Sequence, residues 1–276
     1  MDSYKILSIQ DISCVGQCSL TVALPILSAM GLETAILPSA VLSTHTAGFT
    51  GFTFRDLTED MPLIRAHWEK EGIKFRAIYT GYLGSATQIQ YVKDIAASLL
   101  EEGGQLIVDP AMADNGNLYP AFDLAFVEEM KKLVAIADVV VPNITEACFL
   151  TGVPYKTEYD EAYVALLIEK LAALGAKKVV LTGVSYASDK TGVATSENGK
   201  NAYYEHYKYE KGCHGTGDVY ASAFVGAYVQ GKSLSEAAQI AADYVVKCIG
   251  YTRNFENHWY GVRFEPVLPE LIEAMK

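Results

Sequence analysis

Short, β-branched apolar runs recur along the chain with amphipathic stretches between them, and this alternation limits the fold more tightly than anything else in the sequence. The runs are Lys5 to Ile9, Thr34 to Leu37, Ala77 to Thr80, Gln105 to Val108, Asp138 to Val141 and Lys178 to Thr182. A strand that is apolar at successive positions must be covered on both faces. Thr87 to Leu100 places Ile89, Val92, Ile95, Ala96 and Leu99 on one helical face, and Glu161 to Leu174 repeats the pattern with Gly175 set to end it. Repetition of strand, helix and strand predicts an α/β fold: a mostly parallel central sheet with helices on both faces and ligands beyond the carboxyl ends of the strands. One segment departs from the repeat. Thr191 to Thr195 and Ala202 to Tyr209 flank Ser196-Glu197-Asn198-Gly199-Lys200, whose Asn-Gly predicts a small antiparallel hairpin at one sheet edge.

With 276 residues, half of them apolar, the chain can bury roughly 75% of its unfolded surface, which excludes disorder. No repeat or Pro/Gly/Ser-rich linker divides it, so residues 1–276 read as a single domain. Lys and Arg number 22 against 33 Asp and Glu, a formal charge of −11 with no basic cluster. Binding to a phosphate backbone lacks its electrostatic footprint, and nucleic acid is dropped as a partner. The longest nearly apolar stretches, such as Val219 to Val229, are about half of a bilayer span, so no membrane partner is expected. Met1 to Lys5 leads straight into Ile6-Leu7-Ser8-Ile9 without the apolar core of a secretion signal, and the five cysteines are scattered. Both features read as a cytoplasmic protein with reduced thiols.

The sharpest local signal is Cys213-His214-Gly215-Thr216-Gly217-Asp218 ahead of a small, apolar run. It reads as a turn opening a buried helix, where the N–H groups of Gly215, Thr216 and Gly217 would converge on an anion such as phosphate. Asp218 in the first turn could take a proton from an alcohol attacking the bound phosphoryl group, or could merely complement the helix dipole. Asp109-Pro110 closes one strand, and Asn143 and Glu146 follow another. Those three offer oxygen donors where a Mg²⁺ could bridge nucleotide phosphates, although singly they read as a turn residue and a helix-cap pair. Neither a G-x-x-x-x-G-K-[ST] loop nor a G-x-G-x-x-G turn is present, and Cys14-Val15-Gly16-Gln17-Cys18 after the first strand argues against a dinucleotide-dependent oxidoreductase.

Asn143-x-x-Glu146 with Gly215-Thr216-Gly217-Asp218 resembles the paired signatures of the ribokinase-like superfamily of small-molecule kinases. Upstream, Ser8-Ile9-Gln10, Ser43-Thr44-His45-Thr46, Thr80-Gly81-Tyr82-Leu83-Gly84-Ser85 and Asp109-Pro110-Ala111-Met112-Ala113-Asp114 resemble the ordered motifs of the pyridoxal kinases, from about residue 5 to about residue 250. The resemblance implies a ribokinase-like three-layer sandwich and transfer of phosphate from ATP to the 5′-hydroxymethyl group of pyridoxal, pyridoxamine or pyridoxine. It implies Asp218 as catalytic base, Gly215 to Gly217 as anion hole, and Ser8, Thr46 and Tyr82 around the pyridine ring with His45 close by. Asp109, Asn143 and Glu146 would serve the metal and the ATP phosphates, Asp109 and Glu146 as metal ligands. Thr182 and Gly183 would lie on the nucleotide side, just after their strand. Met112 to Tyr119 resembles a flap over the site, with Asp114 reaching the phosphates and Tyr119 shielding them; the other reading is a surface loop. Mg²⁺ with ATP is implied, a monovalent cation such as K⁺ stays open, and a homodimer is expected.

The chain also departs from the pattern. Asp11 stands where many relatives have serine, and a carboxylate there could pair with a protonated pyridine nitrogen or simply form a turn. Cys213 and His214 lack a third orienting group and read as pocket lining, with a reversible adduct between Cys213 and an aldehyde vitamer the other reading. His67 reads as a surface or packing residue on a helix, and Tyr203 to Tyr207 as an edge strand. A hydroxymethylpyrimidine kinase is the alternative within the fold; a non-catalytic B6-binding regulatory protein is the alternative of another class.

Overall fold

A computed structural model describes residues 5–276, so the reading of the leader, which rests on Met1 to Tyr4, lies outside the described residues. The strands are β1 (Lys5–Ser13), β2 (Glu33–Leu42), β3 (Phe54–Asp56), β4 (Phe75–Thr80), β5 (Leu100–Val108), β6 (Ala113–Asp114), β7 (Asn117–Leu118), β8 (Val139–Val140), β9 (Lys178–Ala187), β10 (Lys190–Glu197) and β11 (Lys200–Tyr207). The helices are α1 (Leu20–Ala29), α2 (Met61–Lys70), α3 (Ala86–Leu99), α4 (Leu124–Val134), α5 (Ile144–Thr151), α6 (Glu161–Ala173), α7 (Thr216–Val229), α8 (Leu234–Thr252) and α9 (Leu268–Ala274). Nine strands form one sheet in the order β11-β10-β9-β8-β5-β4-β1-β2-β3, while β6 and β7 pair separately. From β2 to β9 every pairing is parallel.

Alternation along the strands divides the core in two. Leu7, Ile78, Val108 and Leu181 pack with helices α2 to α6, whereas Ile6, Ala77, Tyr79, Ile107 and Val180 pack with α1, α7 and α8. These are the two covered faces that the apolar runs require, and the three-layer α/β architecture follows. The hairpin is present as β10–β11 at one edge, with Asn198 and Gly199 both at positive φ in the turn. At the other edge β3 pairs antiparallel with β2, a short strand the sequence did not signal because all three of its residues are exposed.

Several strand ends differ from the apolar runs. β5 starts early, at Leu100, and β8 is only two residues long. β1 runs on to Ser13, so Ser8 and Asp11 lie within it; β9 runs on to Ala187, so Thr182 and Gly183 lie inside that strand rather than after it. The reason is pairing, which satisfies backbone groups regardless of side-chain polarity. β1 leaves β4 at Ile9 but stays with β2: Gln10 lies opposite Pro38, which has no N–H to offer, and the register shifts between Gln10 and Ile12, at Asp11. β9 outlasts β8 by pairing antiparallel with β10, with a shift at Gly183.

Helix α7 is the central packing element. Nearly all its residues from Val219 to Tyr228 are buried, and Phe224 is fully enclosed between Tyr220 and Tyr228, with ring centroids 6.5 and 5.5 Å away. Its start is fixed by contact with the β1–α1 loop: Gly215 caps it at φ 78°, and a Cβ there would lie 1.6 Å from the Gln17 carbonyl oxygen. Only glycine fits both the left-handed backbone and that approach. Phe224→Ala should cost about 3–5 kcal/mol in urea unfolding. Gly215→Ala should cost at least ~1 kcal/mol, whereas Leu63→Ala, 69% exposed, should stay within about 0.5 kcal/mol.

Candidate active site

The strand order reverses between β1 and β4, since the chain moves from β1 toward β2 and later returns on the other side as β4. A crevice outside the carboxyl ends at such a switch point is where ligands of doubly wound sheets bind. Asp11 projects from β1 there, Tyr82 follows β4, and Asp109 follows β5. Asp218 enters from the first turn of α7, and Glu146 from that of α5.

Asp218 is only partly accessible, and its carboxylate accepts hydrogen bonds from the Ser19 backbone N–H and the Cys18 thiol. Burial, reinforced by the negative charge of Asp11, pushes its pKa up to about 7. The thiol of Cys18 is pushed above its ordinary value, mainly by burial and then by the charges of Asp218 and Asp11. Beside the carboxylate, Thr216 Oγ1 donates to the Cys213 carbonyl at 3.2 Å, and Gly217 is exposed with nothing within 4 Å of where a Cβ would sit. The N-terminus of α7 therefore presents backbone donors to open space.

Asn143 and Glu146 form a reciprocal capping box on α5: the Glu146 N–H donates to Asn143 Oδ1 and the Asn143 N–H to Glu146 Oε2, both at 2.9 Å. The box also holds the 112–119 segment. Met112 N–H donates to Glu146 Oε1 at 3.2 Å, Asn143 Nδ2 to the Ala113 carbonyl at 2.9 Å, and Gly116 N–H to Thr145 Oγ1 at 3.0 Å. That segment is the β6–β7 hairpin, docked at its base with an exposed tip where Asp114 accepts from Asn115 at 2.8 and 3.0 Å. Tyr119 at its end is 40% exposed, and its hydroxyl is pushed up by burial and by the charges of Glu146, Asp114, Asp109 and Asp218. One tyrosine therefore feels all four carboxylates.

Burial raises Glu146 to about 8, while Asp109 is pushed well above the carboxylate range by burial and then by the charges of Glu146 and Asp218. Two neighbouring desolvated carboxylates of raised proton affinity have the chemistry of a divalent-cation site. Among the described residues no cluster of three His, Cys, Asp or Glu side chains could hold a metal ion, so water and phosphate oxygens would complete the shell, as Mg²⁺ prefers. Thr182 bridges to the same place: its N–H donates to the Pro142 carbonyl at 2.9 Å, next to Asn143, and Gly183 beside it is exposed.

On the other side of Asp218, Asp11 is buried, accepts from Ser13 Oγ at 2.9 Å and from the Ser19 hydroxyl, and is raised by burial. Tyr82 is half-buried and raised by burial and the charges of Asp11 and Asp56; its ring lies 5.4 Å from Phe122. His45 is buried with its tautomer fixed: Ala47 N–H donates to Nδ1 at 3.1 Å, so Nε2 carries the proton toward the Tyr260 carbonyl at 2.5 Å. Its ring packs 5.0 Å from Phe49 and 5.6 Å from His214, and Thr46 beside it is exposed. Ser8 has no accessible surface and accepts from Gln10 Nε2 at 2.9 Å, which places it one layer below the crevice. His67 is exposed on α2, 3.8 Å from Glu71, and Tyr203 to Tyr207 form edge strand β11. Cys18, Ser19, Tyr79 under Asp109 and Asp218, and Tyr260 carried no sequence signal; each meets the site through contacts distant in the chain.

Known proteins share this fold. A Bacteroides thetaiotaomicron structure described as a phosphomethylpyrimidine kinase, in a crystal form with pyridoxal, superposes with a TM-score of 0.92 at 38% identity, covering 98% of this chain and 96% of its own. The Lactobacillus plantarum pyridoxal kinase gives 0.90 at 32% identity, covering 98% and 97%. The Dictyostelium discoideum pyridoxal kinase is 28% identical over 275 residues, 91% of this chain and 87% of that protein. The phosphomethylpyrimidine kinase family matches residues 27–263, and with the ribokinase-like sheet and the two helix N-termini already placed, the chain belongs to that family of small-molecule kinases.

Proposed function

We propose that the protein is an ATP-dependent kinase for the 5′-hydroxymethyl group of a B6 vitamer, pyridoxal, pyridoxamine or pyridoxine. The observation that carries this reading is Asp218: a carboxylate with a pKa of about 7, set in the first turn of a helix whose N–H groups face open space, across from Asp109 and Glu146. A base of that pKa is matched to taking a proton from a primary alcohol at neutral pH. The N–H groups at Gly215 to Gly217 stabilise charge on the transferring phosphoryl oxygens, and Thr182, Gly183 and Asn143 line the nucleotide side. Asp109 and Glu146 would hold Mg²⁺, which supplies charge neutralisation across the ATP phosphates. Asp11, Tyr82, His45 and Thr46 form the ring side, with Ser8 supporting them from beneath through Gln10. Tyr119 and Asp114 on the β6–β7 hairpin exclude water, which would otherwise accept the phosphoryl group. The relative crystallised with pyridoxal supports the substrate class. The family resemblance implies a homodimer, and light scattering of the purified chain should give twice the chain mass.

A second reading is a hydroxymethylpyrimidine kinase, favoured by the description of the matching family. The purified protein with Mg-ATP and each of the three vitamers and hydroxymethylpyrimidine separates the two: a phosphorylated vitamer supports the first reading, and transfer to the pyrimidine alone overturns it. A regulatory protein that binds B6 without turnover would yield no product at all. Asp218→Asn should lower kcat by about 10²-fold or more. Gly217→Ala should leave the unfolding midpoint unchanged, because its Cβ meets nothing in the protein, yet weaken nucleotide binding. The pH dependence follows from the sign of the shift. Below about 7 Asp218 is protonated and cannot act as base, so kcat/KM should rise with pH through that value. Asp11→Asn removes a charge that raises it, and the midpoint should move down.

A further inference from the structure

Among the described residues, Ser19 hydrogen-bonds both carboxylates on the substrate side, Asp11 and Asp218. It stands at the N-cap of α1, where serine ordinarily accepts from the helix's own N–H groups, but its side chain makes no capping bond. Its hydroxyl goes instead to Asp11, and its backbone N–H goes to Asp218. The backbone is held at φ 55° and ψ −132°, the conformation of the first central residue of a type II′ turn, where glycine is usual. Ser19 is also buried, and its carbonyl accepts the Val22 and Ala23 N–H groups at 3.0 and 2.9 Å, so α1 fixes the residue from its other side. A strained conformation and a forgone cap at one position persist only where the surroundings over-determine them, and such positions concentrate at functional sites. Here the surroundings are Gln17, whose carbonyl abuts Gly215, and Cys18, whose thiol donates to Asp218.

We infer that Ser19 is a positioning residue that sets the ring-side carboxylate Asp11 and the base Asp218 at a fixed separation, with one donor on each. A vitamer bound between them then has its ring and its hydroxymethyl group located together. The inference rests on the vitamer-kinase reading, in which Asp11 faces the ring and Asp218 the alcohol. Glycine would adopt the same backbone without strain, so what serine adds at this position is its hydroxyl.

The test is a pair of substitutions measured in the full-length protein. Ser19→Ala and Ser19→Gly should each raise the vitamer KM by roughly tenfold, the scale of one lost hydrogen bond to a charged group. The KM for ATP should stay within about twofold, because that side of the crevice is untouched. Ser19→Gly should unfold at the same temperature as the parent or higher, which separates loss of the hydroxyl from loss of the fold. In an Asp11→Asn background the Ser19→Ala change should have much less effect on vitamer KM, and the two should likewise be non-additive in urea unfolding. Parent-like vitamer KM in both Ser19 variants, an equal rise in both KM values, or strict additivity with Asp11→Asn would each overturn the inference. A parent enzyme that phosphorylates none of the alcohols sinks the functional reading instead, and the unfolding cycle, which needs no substrate, still decides whether Ser19 and Asp11 are linked.

Discussion

Four carboxylates, Asp11, Asp109, Glu146 and Asp218, are gathered in low-dielectric surroundings at one edge of the sheet, and the organisation of that edge answers to this concentration of charge. Burial raises the proton affinity of each. A desolvated carboxylate costs several kcal/mol unless donors or a cation compensate it. The protein supplies donors to three of them: Ser13 and Ser19 to Asp11, Met112 and Asn143 N–H groups to Glu146, and Ser19 and Cys18 to Asp218. Asp109 is compensated least: burial and the charges of Glu146 and Asp218 raise it, and no hydrogen bond offsets them.

The rest of the fold holds these groups in place against their repulsion. Two apolar layers clamp the parallel sheet, and α7 is sunk into one of them along nearly its whole length. Anchoring a helix this firmly lets its first turn carry a destabilising carboxylate without fraying. The same logic explains the capping box of α5. Asn143 and Glu146 are a structural cap and line the crevice at once, because the orphan N–H groups of a helix start are what a buried carboxylate requires. The β6–β7 hairpin is tied to that box, so the hairpin and the start of α5 form one hydrogen-bonded unit.

Much of this was legible in the chain. The apolar runs gave the parallel strands, Asn198-Gly199 the hairpin, and Gly215 to Asp218 the start of α7. The strand ends were not legible: Asp11 and Thr182 are polar and look like loop residues, but pairing with β2 and β10 keeps them in strands. Edge strand β3 was missed because its three residues are exposed and bury no periodic face. Ser8 reads as part of a ring-binding motif, and only packing reveals that Gln10 covers it.

The sequence by itself determined the order of elements and which residue types reach the carboxyl edge, since periodicity and turn chemistry act over a few neighbouring residues. Tertiary structure decided the donors of Asp218, the tautomer of His45 and the II′ conformation of Ser19. Those depend on contacts between segments some 200 residues apart, such as Cys18 and Ser19 against α7 or His45 against Tyr260. No local propensity favours serine at φ 55°; only the packed surroundings hold it there.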